Sequence, residues 1–433
     1  MLKYLHQIWQ SKDLRKKILL TLVLLVIYRT AAHITVPGVN ISALERIFEQ
    51  NSLLGVFSAL TGGSMQSFSI VLMGLSPYIN ASIIVQLMTV VIPKLEALSK
   101  EGMEGRRKIN QYTRILTVPF AILQSYGMII LLNNSSQGQL IPNVTDLSVV
   151  FPIMIIVTAG SLFLMWLGEM ITEKGIGNGI SLLIFGSIIS GMPPVVGRML
   201  GLAQGGDTTK LSYFILFVVL TLAMLIFVVL ITEGQRNIPI TYATRATGGG
   251  KGEKANLPIR VNQAGMIPII FAISMMTFPS VIAQFFNSSQ SSTLKSIANF
   301  ILTHFNATNP SYFYMALYFL LIIAFSYFYV SVTFNPEQIS EDIQKRGGFI
   351  PGIRPGRQTA DFLAAVSGRM NLFGGIFLAI IATIPILFTK YTTLSSSDLI
   401  ISGSGLIIVV GVVLELIRQI DAQLVMHDYD KLY

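Results

Sequence analysis

An all-α polytopic membrane fold is what this sequence predicts, and three observations predict it. Ten apolar blocks, most of them about 18–25 residues long, alternate with polar loops through the 433 residues. Charged residues make up only 12% of the chain, and its mean hydropathy is +0.66. Lysine and arginine gather on alternate loops. A bilayer core about 30 Å thick takes about 20 apolar helical residues per crossing, and it tolerates no unpaired backbone groups. A soluble domain of this size would carry about twice the charge.

The first block, 18–36, follows a basic start and so has the outline of a secretory signal. It is longer than a typical signal core and leads into Val36-Pro37-Gly38, not a small-residue cleavage site, so it reads as a retained helix. Next comes Leu53–Leu60, apolar but too short to span, with the helix-breaking Thr61-Gly62-Gly63-Ser64 behind it. Such a piece must lie at an interface or fold back into a protein-lined cavity. Blocks 68–92, 113–132, 149–169 and 177–200 complete a first group of five.

Blocks 211–232, 263–286, 312–334, 368–389 and 399–420 form the second five. Because five is odd, two equal halves enter the membrane with opposite orientation, the arithmetic of an inverted repeat. The expected division is 1–197 for the first half, 198–210 for a hinge loop and 211–433 for the second half. Two loops, 233–262 and 335–370, far exceed the 2–8 residues that usually join helices in a bundle. Rich in Gly, Pro and Arg, they are expected to contact a partner.

Charge sets the orientation. Lys3, Lys12, Arg15, Lys16 and Lys17 precede the first block; Lys94, Lys100, Arg106, Arg107, Lys108 and Arg114 follow the second. Arg236, Arg245, Lys251, Lys254 and Arg260 occupy one long loop, and Lys345, Arg346, Arg354, Arg357 and Arg369 the other. The opposite loops hold only Arg46, Arg198, Lys210, Lys295 and Lys390. By the positive-inside rule both termini are cytoplasmic. The net charge of +9 thus reflects topology and implies no sequence-specific nucleic acid.

Several chemistries are disfavoured. With no cysteine and four scattered histidines (His6, His33, His304, His427), neither disulfides nor a metal site is expected, and no cofactor is implied. Arg29 lies in the first span, where it can snorkel to the outer interface; Glu169 and Glu415 lie near block ends. No mid-depth charges form an ion-coupling relay. Gly248–Gly252 surrounds Lys251, but the order is wrong for a phosphate loop and no preceding strand is expected. The Asn143 and Asn306 sequons are assigned no role.

Four sets of residues stand out: Met73–Leu87 (MGLSPYINASIIVQL) with Glu104–Arg114 (EGRRKINQYTR); Phe163–Glu169 (FLMWLGE) with Gly175–Ser181 (GIGNGIS); Phe334-Asn335-Pro336; and Phe349–Gly356 (FIPGIRPG). Together they resemble the SecY family, the channel subunits of bacterial protein translocons. The resemblance runs from the first block to the last. It implies an hourglass pore between two five-helix halves, opening sideways to lipid between the second and seventh segments. It implies no catalytic residues, hence no enzyme.

Under the same resemblance, Gly55–Ser67 corresponds to a plug, with Gly55, Phe57, Ser58, Leu60, Gly62 and Gly63 as its characteristic residues. Ile79, Ile83, Ile180, Ile184, Ile270 and Ile408 correspond to the pore ring. A narrow apolar ring excludes ions by dewetting while deforming around a peptide. Arg354 corresponds to the docking position for the SecA ATPase and for ribosomes, with Arg236 and Arg245 as further contacts. SecE, SecG and unfolded preproteins with signal sequences are the other implied partners, and the bacterial cytoplasmic membrane the implied location. Translocation across the bilayer and lateral insertion into it are the implied activities. A small-solute secondary transporter with inverted repeats is the alternative.

Three features depart from the family pattern. Ile34-Thr35-Val36-Pro37-Gly38 lacks one proline of the usual turn, Asn237 and Thr244 replace basic residues, and Gly411 leaves the helix near Ile408 thinly filled.

Overall fold

The computed structural model describes residues 11–40, 44, 67–135, 140–141, 146–193, 196–197, 208–242, 254–287, 292–305, 310–392 and 403–430. Each of the ten apolar blocks carries a helix. The first five are α1 (Lys12–Ala31), α2 (Ser76–Val91), α4 (Met103–Ser135), α5 (Leu147–Lys174) and α6 (Gly179–Ser190). The second five are α7 (Thr208–Glu233), α8 (Ile267–Asn287), α10 (Tyr312–Thr333), α12 (Arg357–Tyr391) and α13 (Gly403–Asp430). Three shorter helices join them: α3 (Pro93–Lys100), α9 (Ser292–His304) and α11 (Pro336–Lys345).

By length and composition, six described helices can cross a bilayer unaided: α4, α5, α7, α10, α12 and α13. The pair α2–α3, bent by 105° at Ile92, makes a seventh if counted as one span. Helix α6 and the stretch Ile267–Ser280 of α8 are apolar but shorter. Helix α1 is diluted by its own Lys and Arg residues.

Local chemistry explains the helix starts. Asp146 caps α5 by accepting from the Ser148 amide at 3.0 Å, and Asn178 caps α6 by accepting from Ile180 N at 3.1 Å and Ser181 N at 3.3 Å. Ser311 does the same for α10 and Asn335 for α11. Glycine sets how closely backbones approach: a Cβ on Gly160 would sit 1.9 Å from the Ile70 carbonyl oxygen, and one on Gly179 1.9 Å from that of Gly168.

The main apolar cluster draws on both groups of helices. It joins Leu24 and Tyr28 of α1, Leu164 and Leu167 of α5 and Leu182 of α6 to Ile269 of α8, Ile322 of α10, Leu378 of α12 and Leu406 of α13. The groups meet where α8 packs on α2 and α4, with the Phe120 and Phe278 rings 6.4 Å apart, and where α13 packs on α6. Side-chain hydrogen bonds tie elements within a group. Tyr28 bonds Ser187 between α1 and α6, Ser326 donates to Asn371 between α10 and α12, and Ser367 donates to Gln263 just before α8.

The two long basic loops are not irregular. Strands β1 (Gln235–Tyr242) and β2 (Lys254–Arg260) pair antiparallel from Gln235↔Arg260 to Thr241↔Lys254. A short β3 (Gly348–Phe349) from the other loop adds to β1 through Thr241↔Phe349 and Tyr242↔Gly348. The order is β2-β1-β3. Beneath it lies a small core of Ile238, Ile240, Ile259, Ile343, Ile350, Leu363 and Val366. So a strand does precede the Gly248–Gly252 stretch, contrary to the sequence expectation; those glycines themselves lie outside the described residues.

Candidate functional site: an apolar centre and a sheet module in the basic loops

Alternate residues of β1 turn inward, so Ile238 and Ile240 are buried while Asn237 and Pro239 are exposed. Arg236 shares the inward parity but sits at the open base of the hairpin, beyond the core, and is exposed. It lies three residues from the end of α7, at the root of the hairpin and not at its tip. At the same root, Arg418 of α13 pairs with Glu233 at 2.6 Å and donates to the Thr232 carbonyl at 3.4 Å. Arg260 faces this cluster. Burial pushes its guanidinium below the usual range, and the Arg418 charge adds to that. Arg245 lies outside the described residues.

Arg354 occupies a turn held by several hydrogen bonds to its backbone. The Ile353 amide donates to the Ile350 carbonyl at 3.0 Å, and the buried Thr359 hydroxyl donates to the Arg354 carbonyl at 2.9 Å. Ser340 of α11 donates to the Gly356 carbonyl at 2.7 Å. Gly352 and Gly356 adopt φ of +84° and +93°, values that disfavour any side chain. The Arg354 side chain is exposed at the apex.

The six isoleucines come from four helices: Ile79 and Ile83 from α2, Ile180 and Ile184 from α6, Ile270 from α8 and Ile408 from α13. Five of them belong to the main apolar cluster, Ile408 as a buried member and Ile79, Ile180, Ile184 and Ile270 as half-buried ones. Ile83, at 7% exposure, is buried outside that cluster. Their placement has local causes. The Asn178 cap starts α6 two residues before Ile180, and Gly168 leaves room for Ile180, whose Cγ1 would stand 3.0 Å from a Cβ there. A Cβ added at Gly411 would meet nothing within 4 Å, so the helix beside Ile408 is thinly filled, as its sequence suggests.

Gly55, Phe57, Ser58, Leu60, Gly62 and Gly63 lie outside the described residues. The chain just after them does not, and it is clamped. Ser67 donates to the Ala32 carbonyl at 2.9 Å, Val36 N to the Phe68 carbonyl at 2.9 Å and Ile70 N to the Ile34 carbonyl at 2.9 Å. Phe68 is fully buried with φ of +42°, in the left-handed region that a bulky residue rarely enters. Its ring packs in a second apolar cluster with Val36, Leu72, Ile129 and Val157. Sequence reasoning missed this clamp, because nothing in Ser67-Phe68 advertises a positive φ.

A model of the SecY family matches residues 69–417. The chain belongs to the SecY family. The protein translocase subunit SecY of Bacillus subtilis is 40% identical over 99% of both chains, and that of Streptomyces griseus is 40% identical over 98% of this chain and 97% of its own. Among solved structures, a protein-conducting channel superposes with a TM-score of 0.66 at 16% identity, covering 95% of this chain and 93% of that one. A Sec61 channel from a canine ribosome-channel complex gives 0.63 at 17% identity, covering 95% and 93%. The fold is thus that of a polytopic protein-conducting channel, helical through the membrane. The function is protein translocation, and a small-solute transporter finds no support among these relatives.

Proposed function

We propose that this chain forms the conduit itself: ten spans in two inverted halves, 1–197 and 211–433 about a 198–210 hinge, with the six isoleucines as the constriction between them. The observation that carries this reading is that Ile79, Ile180, Ile184, Ile270 and Ile408, from four helices, belong to one apolar cluster built by both groups of helices. Half-buried side chains are frequent along that cluster, so the reading rests on where these residues lie and not on their exposure. Around a passing peptide such a ring deforms, and without one it is too apolar for ions. Sideways release between α2 and α8 would also draw α8 away from α4, parting the Phe120 and Phe278 rings.

Residues 55–67 act as the plug in this reading. The Ser67–Ile70 clamp supplies a fixed tether for it. One structural relative, a SecY protein, is described as having a plug domain that stabilises the closed state and maintains a membrane seal. The exposed Arg354 is the docking charge, for the SecA ATPase or for a ribosome, because a guanidinium on a fixed turn suits bidentate capture of carboxylate or phosphate. The ribosome-bound canine channel supports the second partner. SecE and SecG are the accompanying subunits. The chain resides in the cytoplasmic membrane with both termini inside, as its basic loops dictate, and carries out no catalysis of its own.

The cysteine-free chain allows a direct test. A secretory precursor stalled in the purified complex is expected to crosslink to Ile83→Cys and Ile270→Cys, and not to Leu222→Cys on the exposed surface of α7. Crosslinking at Leu222→Cys alone would overturn the conduit reading.

A further inference from the structure

Helix α9 has no place among the ten spans, and its surface is divided. At thirteen residues it is roughly 20 Å long, too short for a bilayer core of about 30 Å. Ala298 is buried on the side that packs against α8. Ile297 and Phe300, 54% and 59% exposed, form an apolar flank beside it; Ser292, Asn299 and Thr303 turn the other way, and Ser296 lies at the border next to Phe300.

Its far end is firmly mounted. Ser280 of α8 donates to the Phe305 carbonyl at 3.0 Å, and Ser311, the cap of α10, donates to the His304 carbonyl at 3.4 Å. The His304 ring stacks on Phe300 at 4.1 Å and meets the edge of Phe313 at 5.8 Å. Next to Phe313, Tyr312 carries the Lys390 ammonium 3.4 Å from its ring centre, and its hydroxyl lies 3.3 Å from that of Tyr391. These residues stand where α10 begins and α12 ends, on the face opposite the β-sheet, since each helix meets the sheet module at its other end.

We propose that α9 lies in the lipid headgroup boundary on the face opposite the docking module, its Ile297–Phe300 flank in the acyl region and its Asn299–Thr303 side toward water. A belt of Tyr, Phe and Lys at helix ends is what a membrane–water interface selects, because rings with polar tips and snorkelling ammoniums suit both phases. Helix α9 continues that belt directly through the Phe300–His304–Phe313 contacts. A protein-covered flank would call for a matching mount on its own level, whereas a lipid boundary accounts for flank and belt together. Because α9 is fastened to α8, one of the two helices that would part at the lateral opening, the lipid boundary would hold one edge of that opening at a fixed depth.

The test uses the complex, with cysteine-free partner subunits, in nanodiscs of phosphatidylethanolamine and phosphatidylglycerol. Nitroxide is attached to Ile297→Cys in one sample and to Asn299→Cys in another. Collision with dissolved oxygen is expected to exceed collision with a water-soluble nickel chelate severalfold at 297, and the ratio is expected to reverse at 299. Equal nickel access at both sites would show a helix standing in water, and shielding from both reagents at 297 would show a protein cover; either result overturns the assignment. Leu294→Cys offers a second apolar site if the 297 variant assembles poorly.

Discussion

Isoleucine does different work in two parts of this molecule. In the sheet module Ile238, Ile240, Ile259, Ile343 and Ile350 are 3–7% exposed, packed among the strands, α11 and α12, while Ile339 and Ile353 at its margin are half buried. At the centre of the membrane region four of six isoleucines are only half buried. Under the proposed function the module needs one conformation, to present Arg354 at a fixed position, and the centre needs two, closed and parted. Packing completeness around the six isoleucines, and not residue type, is then what would let the centre open.

The sharpest way to break this contrast is truncation. Ile240→Ala should cost about 2–5 kcal/mol of local stability, as large-to-small changes in filled cores do, and should expose the β1–β2 amides to hydrogen exchange. Ile79→Ala should cost less, about 1–2 kcal/mol, read as a smaller shift in thermal unfolding in detergent. Equal costs would show the centre to be as filled as the module.

Arg354→Glu tests what the module is for. Losing a charge-assisted contact and reversing its sign should slow SecA-driven translocation roughly 10- to 100-fold, while expression and thermal stability stay at wild-type values. Unchanged translocation would leave the ordered turn without a docking role. Ile408→Asn acts on the other region. A polar side chain in the apolar ring favours the wet, parted state, so precursors with defective signal sequences should be exported several times better than by wild type. Equal rejection by both proteins would argue against a ring at Ile408.

The smallest expected effect on folding is that of deleting Phe57–Ser64. The deletion leaves the Ser67–Ile70 clamp in place, so the channel should fold, with an ion leak at rest detectable in planar bilayers. A folded deletion no leakier than wild type would remove the plug from the account.

How legible all this was depends on length scale. The ten apolar blocks were readable because a run of apolar residues means the same thing wherever it occurs. The start of α4 at Met103 was not, since its first turns are as polar as a loop, and neither was α12, which begins eleven residues before its apolar block. The sheet was hidden because its third strand, Gly348–Phe349, is two residues long and pairs across more than a hundred positions of chain. The pore-ring positions depended wholly on family resemblance, since isoleucines four apart on an apolar helix are ordinary packing residues. Arg354 was marked by its flanking Pro and Gly, yet nothing local foretold that Thr359 and Ser340 would hold the turn.

Helix α12 carries a dimensional consequence. Its 35 residues run unbroken from the docking turn to the Tyr391 belt and measure about 52 Å. With about 30 Å spent in hydrocarbon, the remainder is shared between the two ends. The eleven residues before the apolar block give about 16 Å on the basic side, close to the headgroup layer and the physiological Debye length of about 8 Å combined. An exposed Arg354 at that distance would stand at the outer limit of an anionic lipid surface's field, where competition for it is weak. Ionic strength should then weaken partner capture through the partner's own acidic groups, with lipid composition having little say.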